Sequence, residues 1–151
     1  MPLRIGFVGL GAMGGPIVGN LSQHFTCVVS DISQDAMAKC KQTWGVDTTS
    51  DLSEIAACDV VMTCLPRSNL VETVVDKTWE GLRGGTTWID LTSGAPDHTQ
   101  RIAKRLEEKN VNMLDVGMSG GPKGAREATM RVMIGGGREI YEGVKEVFDA
   151  I

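Results

Sequence analysis

Two hydrophobic patterns alternate along this chain. Short apolar runs predict buried strands, and stretches in which apolar residues recur every three or four positions predict amphipathic helices. The runs place strands at 5–8, 27–30, 46–48, 59–64, 86–90, 112–116 and 131–134. The helical pattern covers 13–24, 33–43, 51–57, 69–76, 96–109 and 138–151. Ser33 and Asp51 stand where N-caps are expected, and Pro96 fits the first turn of its helix.

Strands that read as continuous apolar runs, with helices between them, are typical of a mostly parallel sheet covered on both faces. We therefore predict the α/β class with a doubly wound sheet. No low-complexity segment, internal repeat or linker interrupts the pattern, so residues 1–151 are predicted to form a single domain. The buried face of the last helix is predicted to consist of Ile140, Val144, Val147, Phe148 and Ile151.

The first strand runs directly into a glycine-rich turn that opens the first helix. The turn has the spacing G-x-G-x-x-G and consists of Gly9, Leu10, Gly11, Ala12, Met13 and Gly14. In the first βα turn of a chain this pattern is typical of a Rossmann-type dinucleotide-binding fold, so we predict that these six residues contact the cofactor. The first glycine allows the tight turn, the second lets a pyrophosphate approach the backbone, and the third lets the helix pack closely. Free amides and the helix dipole then favour the anion.

An acidic residue at the end of the second strand completes this motif. Asp31 lies about 20 residues after the glycines, and we expect its carboxylate to accept hydrogen bonds from the adenosine ribose hydroxyls and to repel a 2′-phosphate. The next residues, Ile32 and Ser33, include no arginine that could hold such a phosphate. The sequence therefore favours NAD over NADP, with Ile32 beside Asp31 in the cofactor site.

Composition narrows the class of protein further. The 151 residues carry a net charge of -4, which argues against a nucleic-acid surface because phosphate binding needs a basic patch. No apolar run approaches the roughly 20 residues that span a bilayer. The four cysteines are scattered without zinc-site spacing, so no metal is expected and a reducing compartment is the simpler interpretation. Because the first strand begins within a few residues of the amino end, we expect no targeting segment. We therefore expect a cytoplasmic protein. A mitochondrial location is the alternative if a presequence has been removed.

Four stretches of the chain match motifs of one enzyme family, in the family's order. They are GFVGLGAMGGPIVGNL at the amino end, DVVMTCLP at 59–66, DLTSGAP at 90–96 and LDVGMSGGPKGA at 114–125, with MIGGG at 133–137 beyond them. On these motifs the chain resembles the N-terminal NAD-binding domain of the β-hydroxyacid dehydrogenases, the 3-hydroxyisobutyrate dehydrogenase family. The resemblance runs the whole length of the chain. It implies that residues 1–151 are a dinucleotide-binding domain and that the family's all-helical C-terminal domain is absent.

The resemblance also implies roles for single residues. Leu65 and Pro66 fall where the family contacts the cofactor, and Ser93 falls at the hydroxyl position on the nicotinamide side. The substrate carboxylate would be held by Ser119, Gly120 and Gly121. A glycine-rich loop suits that role because successive backbone amides can converge on one anion. Asp115 ends the strand before this loop, and we expect it to fix the loop by hydrogen bonding.

No catalytic residue is expected in this chain. By resemblance, the family's catalytic lysine lies on a helix that follows the dinucleotide-binding domain, beyond Ile151. We therefore expect a fragment of an NAD-dependent oxidoreductase that transfers a hydride between nicotinamide and a short 3-hydroxy acid. The fragment alone should bind dinucleotide and turn over nothing. The full-length protein is expected to act on a small-molecule hydroxy acid and to form a homo-oligomer, without a nucleic-acid or membrane partner.

Other interpretations stay open at this point. A tartronate-semialdehyde reductase or a 6-phosphogluconate dehydrogenase-like enzyme shares the Ser-Gly-Gly loop, although the latter usually prefers NADP. A catalytically inactive dinucleotide-binding module is a third possibility from a different functional class. Comparing NAD with NADP binding separates the enzymes that share this loop. The sequence after Ile151 shows whether the catalytic lysine is present, and so distinguishes an enzyme from the inactive module.

Overall fold

The computed structural model describes residues 2–151, which build a seven-stranded sheet with helices between the strands. The strands are β1 (Arg4–Val8), β2 (Thr26–Ser30), β3 (Asp47–Thr48), β4 (Val60–Thr63), β5 (Thr87–Asp90), β6 (Asn112–Ser119) and β7 (Arg131–Gly135). The helices are α1 (Gly14–Leu21), α2 (Gln34–Trp44), α3 (Leu52–Ala56), α4 (Ser68–Thr78), α5 (Pro96–Glu107), α6 (Gly121–Glu127), α7 (Arg138–Gly143) and α8 (Lys145–Asp149), and a short 3₁₀ turn follows α4 at Trp79–Gly81. No helix within residues 2–151 combines the length and the apolar character needed to cross a membrane.

The strand order is β3-β2-β1-β4-β5-β6-β7, and neighbouring strands are parallel except for β6 and β7. The first six strands follow the order of a doubly wound Rossmann sheet, which confirms the predicted fold class. The direction of winding reverses beside β1, which pairs with both β2 and β4. Val8 is the register partner of Ser30 and of Thr63, so the loops that follow these three strands meet at one edge of the sheet. We call this edge the carboxyl edge.

Two apolar layers cover the faces of the sheet. Successive residues of β5 point into different layers: Trp88 belongs to the layer beneath α3, α4 and α5, and Ile89 to the layer beneath α1, α2 and α8. Both side chains are fully buried. Because both faces are covered, the interior positions of the central strands are apolar or small, and this explains the apolar runs in the sequence.

Helix starts agree with the predicted caps. The hydroxyl oxygen of Ser33 accepts the amide of Ala36 at 3.1 Å, and a carboxylate oxygen of Asp51 accepts the amide of Ser53 at 2.9 Å. These bonds satisfy amides that lack a partner in the first turn of α2 and of α3. Pro96 opens α5, as its missing amide and fixed φ allow.

The carboxyl-terminal third differs from the prediction in two respects. β6 continues to Ser119, beyond its predicted end at residue 116, because β7 pairs with it in the antiparallel direction as far as Ser119 opposite Arg131. The predicted glycine-rich loop is correspondingly short, since Gly121–Glu127 forms α6.

The predicted helix over 138–151 is in fact two helices, α7 and α8. They are separated at Val144, whose φ of -128° and ψ of 17° are not helical, and Gly143, a weak helix former, directly precedes the break. The predicted apolar face is still covered: Val144, Val147, Phe148 and Ile151 are buried in the layer beneath α1, and Ile140 packs against them.

Candidate functional site

The turn between β1 and α1 lies at the carboxyl edge, beside the point where the winding reverses. Gly9 has a φ of +107°, and a methyl group on it would overlap the carbonyl oxygen of Cys64. A methyl group on Gly14 would overlap the carbonyl oxygen of Gly9. The folded chain therefore requires glycine at both positions. Gly11 differs, because a methyl group there would meet no atom of residues 2–151 within 4 Å. The protein's own packing does not explain this third glycine.

The backbone amides between these glycines are available to a ligand. α1 begins at Gly14, and its N-cap, Met13, provides no side-chain hydrogen bond. Within residues 2–151, the amides of Gly11, Ala12 and Met13 donate no hydrogen bond. Gly11 and Ala12 are also exposed to solvent. Unpaired amides at the start of an eight-residue helix, reinforced by the helix dipole, form a binding position for an anion.

Asp31 connects this turn to the end of β2. One carboxylate oxygen accepts the amide of Leu10 at 2.7 Å, and the other accepts the amide of Ser33 at 2.8 Å. The carboxylate therefore fixes the glycine turn, a structural task that the sequence motif did not indicate. Each of its oxygens keeps a second lone pair for a further donor. Ile32, the next residue, is fully exposed, which is unusual for a large apolar side chain.

The loops after β4 and β5 extend the same edge away from β2. The amide of Cys64 donates to the carbonyl oxygen of Val8 at 3.0 Å, and the side chain of Leu65 lies against Gly9. Leu65 is half-buried, whereas Pro66 after it is exposed. Ser93 is exposed in the loop after β5, the next strand along the sheet. The structure thus places these three predicted residues at the carboxyl edge with the glycine turn.

Ser119, Gly120 and Gly121 lie where β6 ends and α6 begins, and all three are exposed. The two glycines have φ values of +133° and +61°, in the range that favours glycine. The side-chain amide of Asn20 on α1 donates to the carbonyl oxygen of Ala125 on α6 at 2.7 Å. The predicted substrate residues are therefore attached, through α6, to the helix that begins at the glycine turn.

Asp115 does not hold this loop, contrary to the expectation from sequence. Its side chain makes no hydrogen bond to any residue in the described range 2–151, and it lies opposite Asp90 in the register of β5 and β6. The two residues point to the same face because register partners in a sheet share a face. Burial raises the pKa of Asp115, and burial together with the Asp115 charge raises the pKa of Asp90.

Sequence reasoning missed a group of buried polar residues beneath the loops. Thr63, Asp90 and Thr92 have exposed fractions of 0%, 2% and 4%. The only signal in the sequence is that Thr63 and Asp90 each follow an apolar run. A buried carboxyl is costly unless it is hydrogen-bonded, so these residues require an explanation from the structure.

Among residues 2–151, the carboxyl edge contains neither a cluster of metal ligands nor a reactive thiol. Across residues 2–151, no three side chains of His, Cys, Asp or Glu are grouped so that they could hold a metal ion. All four cysteines are free. Burial, followed by the charge of Asp90, raises the pKa of Cys64 to about 11. The thiol is therefore protonated near neutral pH and is a poor nucleophile.

Comparison with known proteins gives a consistent picture. The family model described as the NAD binding domain of 6-phosphogluconate dehydrogenase matches residues 4–151. The 2-(hydroxymethyl)glutarate dehydrogenase of Eubacterium barkeri is 31% identical over 153 residues, which cover 99% of this chain and 51% of that protein. The mitochondrial 3-hydroxyisobutyrate dehydrogenase of Drosophila melanogaster is 34% identical over 151 residues, which cover 98% of this chain and 46% of that protein.

A solved structure agrees with these relatives. The 3-hydroxyisobutyrate dehydrogenase of Mycobacterium tuberculosis, in a structure with L-serine, superimposes with a TM-score of 0.94 at 28% identity. The superposition covers 99% of this chain and 52% of the other. The chain spans about half the length of the curated relatives that it matches.

Proposed function

This chain belongs to the family of the NAD binding domain of 6-phosphogluconate dehydrogenase, and on that premise we propose that it is the cofactor-binding part of a hydroxyacid dehydrogenase. The family description makes a nicotinamide dinucleotide the cofactor class. The whole protein would transfer a hydride between nicotinamide and a short 3-hydroxy acid. In support, two relatives are named as dehydrogenases of 2-(hydroxymethyl)glutarate and of 3-hydroxyisobutyrate, and both names denote hydroxy acids.

One observation carries this proposal: three unpaired amides, at Gly11, Ala12 and Met13, precede α1 at the reversal point of the sheet. In the proposal they hold the pyrophosphate, and the open space at Gly11 is the room it occupies. Leu10 and Gly14 keep the turn in shape. Leu10 does so through its buried side chain and the hydrogen bond that its backbone amide donates to Asp31, and Gly14 through close packing.

We propose NAD rather than NADP as the preferred cofactor. Asp31 accepts hydrogen bonds from two backbone amides, which fix its carboxylate beside the turn, where a ribose hydroxyl can donate to it. A 2′-phosphate at the same place would meet a like charge, and neither Ile32 nor Ser33 can offset it. The exposed side chain of Ile32 would cover one side of the adenine.

We assign the remaining predicted residues to the nicotinamide end of the site, where the hydride is transferred. Leu65, Pro66 and Ser93 would contact the nicotinamide half, because their loops lie on the far side of β1 from Asp31. The carboxylate of the hydroxy acid would bind to the backbone amides of Ser119, Gly120 and Gly121, which we call the substrate loop. When bound, the nicotinamide ring supplies the acceptor or donor of the hydride. These residues bind and orient, and none of them is proposed to move a proton.

Calorimetric titration with NADH tests the proposal, with Gly11→Ala as the main variant. We expect the wild type to bind NADH, and Gly11→Ala to weaken binding at least about tenfold because its methyl group fills the space of the pyrophosphate. The free energy of unfolding of this variant should stay within about 1 kcal/mol of wild type, since the methyl group meets no protein atom. NADPH should bind at least about tenfold more weakly than NADH.

Gly143→Ala is the matched control. It introduces the same methyl group at another open position, the last residue of α7, and should leave NADH binding unchanged. A wild type that takes up no NADH, or a Gly11→Ala variant that binds it as tightly as wild type, would refute the proposed site.

A further inference from the structure

The loops after β4 and β5 are joined by hydrogen bonds between side chains and backbone. The amide of Leu65 donates to the hydroxyl oxygen of Thr92 at 3.0 Å. At the other end of the same loops, the amide of Ala95 donates to the hydroxyl oxygen of Ser68 at 3.2 Å. We call this pair of bonds the two-loop clamp. A methyl group on Gly94 would overlap the Ser68 hydroxyl and would displace the oxygen that accepts the Ala95 amide, so this bond of the clamp depends on glycine at position 94.

A buried chain of hydrogen bonds anchors the clamp to the sheet. The indole N–H of Trp88 donates to the hydroxyl oxygen of Thr63 at 3.1 Å, and the Thr63 hydroxyl lies 2.9 Å from Asp90 Oδ1. Because an indole N–H can only donate, the single hydroxyl proton of Thr63 is directed to Asp90. The same oxygen of Asp90 accepts the backbone amide of Thr92 at 3.0 Å. The donor of every bond is therefore fixed: Trp88 donates to Thr63, and the Thr63 hydroxyl and the Thr92 amide both donate to Asp90.

This chain of hydrogen bonds fixes the geometry of its members, but it requires a carboxyl group to be buried away from water. Asp90 is 2% exposed, and its carboxyl lies beside the carboxyl of Asp115. The thiol of Cys64 is the other titratable group affected by its charge. An apolar side chain at position 90 would avoid the desolvation penalty, but it would leave the Thr63 hydroxyl and the Thr92 amide without an acceptor. A fully connected network of this kind holds its members in one arrangement.

The two-loop clamp lies at the opposite end of the site from Asp31. Leu65 rests on Gly9, and Ser93 directly follows Thr92. A dinucleotide that crosses the carboxyl edge from β2 would reach these loops with its nicotinamide half, since β4 and β5 lie on the other side of β1.

We propose that Asp90 and Thr92 are positioning residues that set the separation of Leu65 and Ser93 for the nicotinamide half of the cofactor. The inference rests on the proposed function. Neither side chain touches the cofactor. Asp90 holds Thr92, and Thr92 holds the amide of Leu65, so that two loops that are 27 residues apart in sequence form one rigid wall.

Two ligands and two variants test the proposal. NADH spans both halves of the site, whereas ADP-ribose lacks the nicotinamide. We expect Thr92→Val, which removes the acceptor for the Leu65 amide but keeps the shape of the side chain, to weaken NADH binding about fivefold. ADP-ribose binding should remain within about twofold of wild type. Thr92→Ser restores the hydroxyl and should restore NADH binding.

Thr78→Val is the control for loss of a buried hydroxyl as such. Thr78 is 1% exposed, and its hydroxyl donates to the carbonyl oxygens of Val74 and Val75 on α4. This variant should not change the ratio of the NADH and ADP-ribose dissociation constants. If Thr92→Val proves too unstable to titrate, Ser68→Ala breaks the other bond of the clamp and is expected to lower NADH affinity selectively in the same way.

The outcomes separate this inference from the function on which it rests. A wild type that binds neither ligand overturns the proposed function. A wild type that binds both, with a Thr92→Val variant that weakens both equally or neither, overturns the positioning role alone. Failure of Thr92→Ser to restore NADH binding overturns it as well.

Discussion

Glycine has two different tasks in the turn after β1, and the structure separates them by position. Gly9 and Gly14 are required by the folded chain itself, because a side chain at either position would overlap a backbone carbonyl. Gly11 is required by nothing within residues 2–151, because a methyl group there meets empty space. A glycine without a packing reason, next to unpaired amides, is what a site for a close-lying ligand needs.

The single carboxyl group of Asp90 makes the free energy of unfolding depend on pH. Burial raises the pKa of its carboxyl above the ordinary value of 3.8, and the hydrogen bonds from Thr92 and Thr63 oppose that rise. Between the ordinary and the raised pKa, the folded state keeps a proton that the unfolded chain has released. The free energy of unfolding therefore falls as pH rises through that window.

Asp90→Asn should remove this dependence, because an amide does not ionise while its oxygen can still accept the two bonds. We expect the free energy of unfolding of the variant, minus that of wild type, to increase from about pH 4 up to the raised pKa and to stay constant above it. Urea unfolding at a series of pH values measures the difference. Asp115→Asn, at a half-buried position, should show the same sign with a smaller amplitude. A difference that decreases with rising pH would contradict the argument.

At the scale of elements, the break between α7 and α8 gives a prediction about stability. Gly143 is exposed, has no positive φ and leaves its methyl position open. Gly143→Ala should therefore raise the free energy of unfolding by about 0.5–1 kcal/mol, through better helix propensity and a less flexible unfolded chain. Chemical denaturation measures the change.

Gly136→Ala is the contrasting variant. Gly136 has a φ of +140°, and a methyl group on it would lie 2.7 Å from a side-chain carbon of Leu114 and 3.0 Å from the carbonyl oxygen of Met113. We expect it to lower the free energy of unfolding by more than about 1 kcal/mol. If both alanine variants shift stability in the same direction, the assignment of these two glycines is wrong.

Local signals explain which elements the sequence predicted well. Apolar runs, the caps at Ser33 and Asp51, and the proline that opens α5 are short-range features, and the observed elements lie close to their predicted positions. The extension of β6 depends on pairing with a strand that follows α6, so no local pattern could show it. The break at Val144 was hidden because its flanking apolar residues keep helical spacing across it.

At the scale of the whole molecule, the candidate site is assembled from loops after five different strands. Sequence reasoning found the glycine turn and Asp31 because each is a local motif next to a strand end. It could not find the contact between Thr63 and Asp90, which joins residues 27 positions apart and depends on the pairing of β4 with β5. The roles of Ser93 and Ser119 came from resemblance and stay predictions until a ligand is measured.

The last prediction concerns what residues 1–151 can do by themselves. Hydride transfer to or from a hydroxy acid needs a group that moves the hydroxyl proton. Among the titratable groups around the carboxyl edge, Asp31 is held by two amides and Asp90 is buried in its hydrogen-bonded chain. Asp115 is half-buried opposite Asp90, the pKa of the Cys64 thiol is raised to about 11, and Lys123 is an exposed residue of α6. We expect this chain to bind NADH in a titration and yet to show no change in NADH absorbance when it is supplied with NAD and 3-hydroxyisobutyrate. Lys123→Ala should bind NADH as wild type does. Sustained turnover by the wild type that Lys123→Ala abolishes would contradict this expectation and would identify Lys123, on α6 next to the substrate loop, as the proton-transfer group.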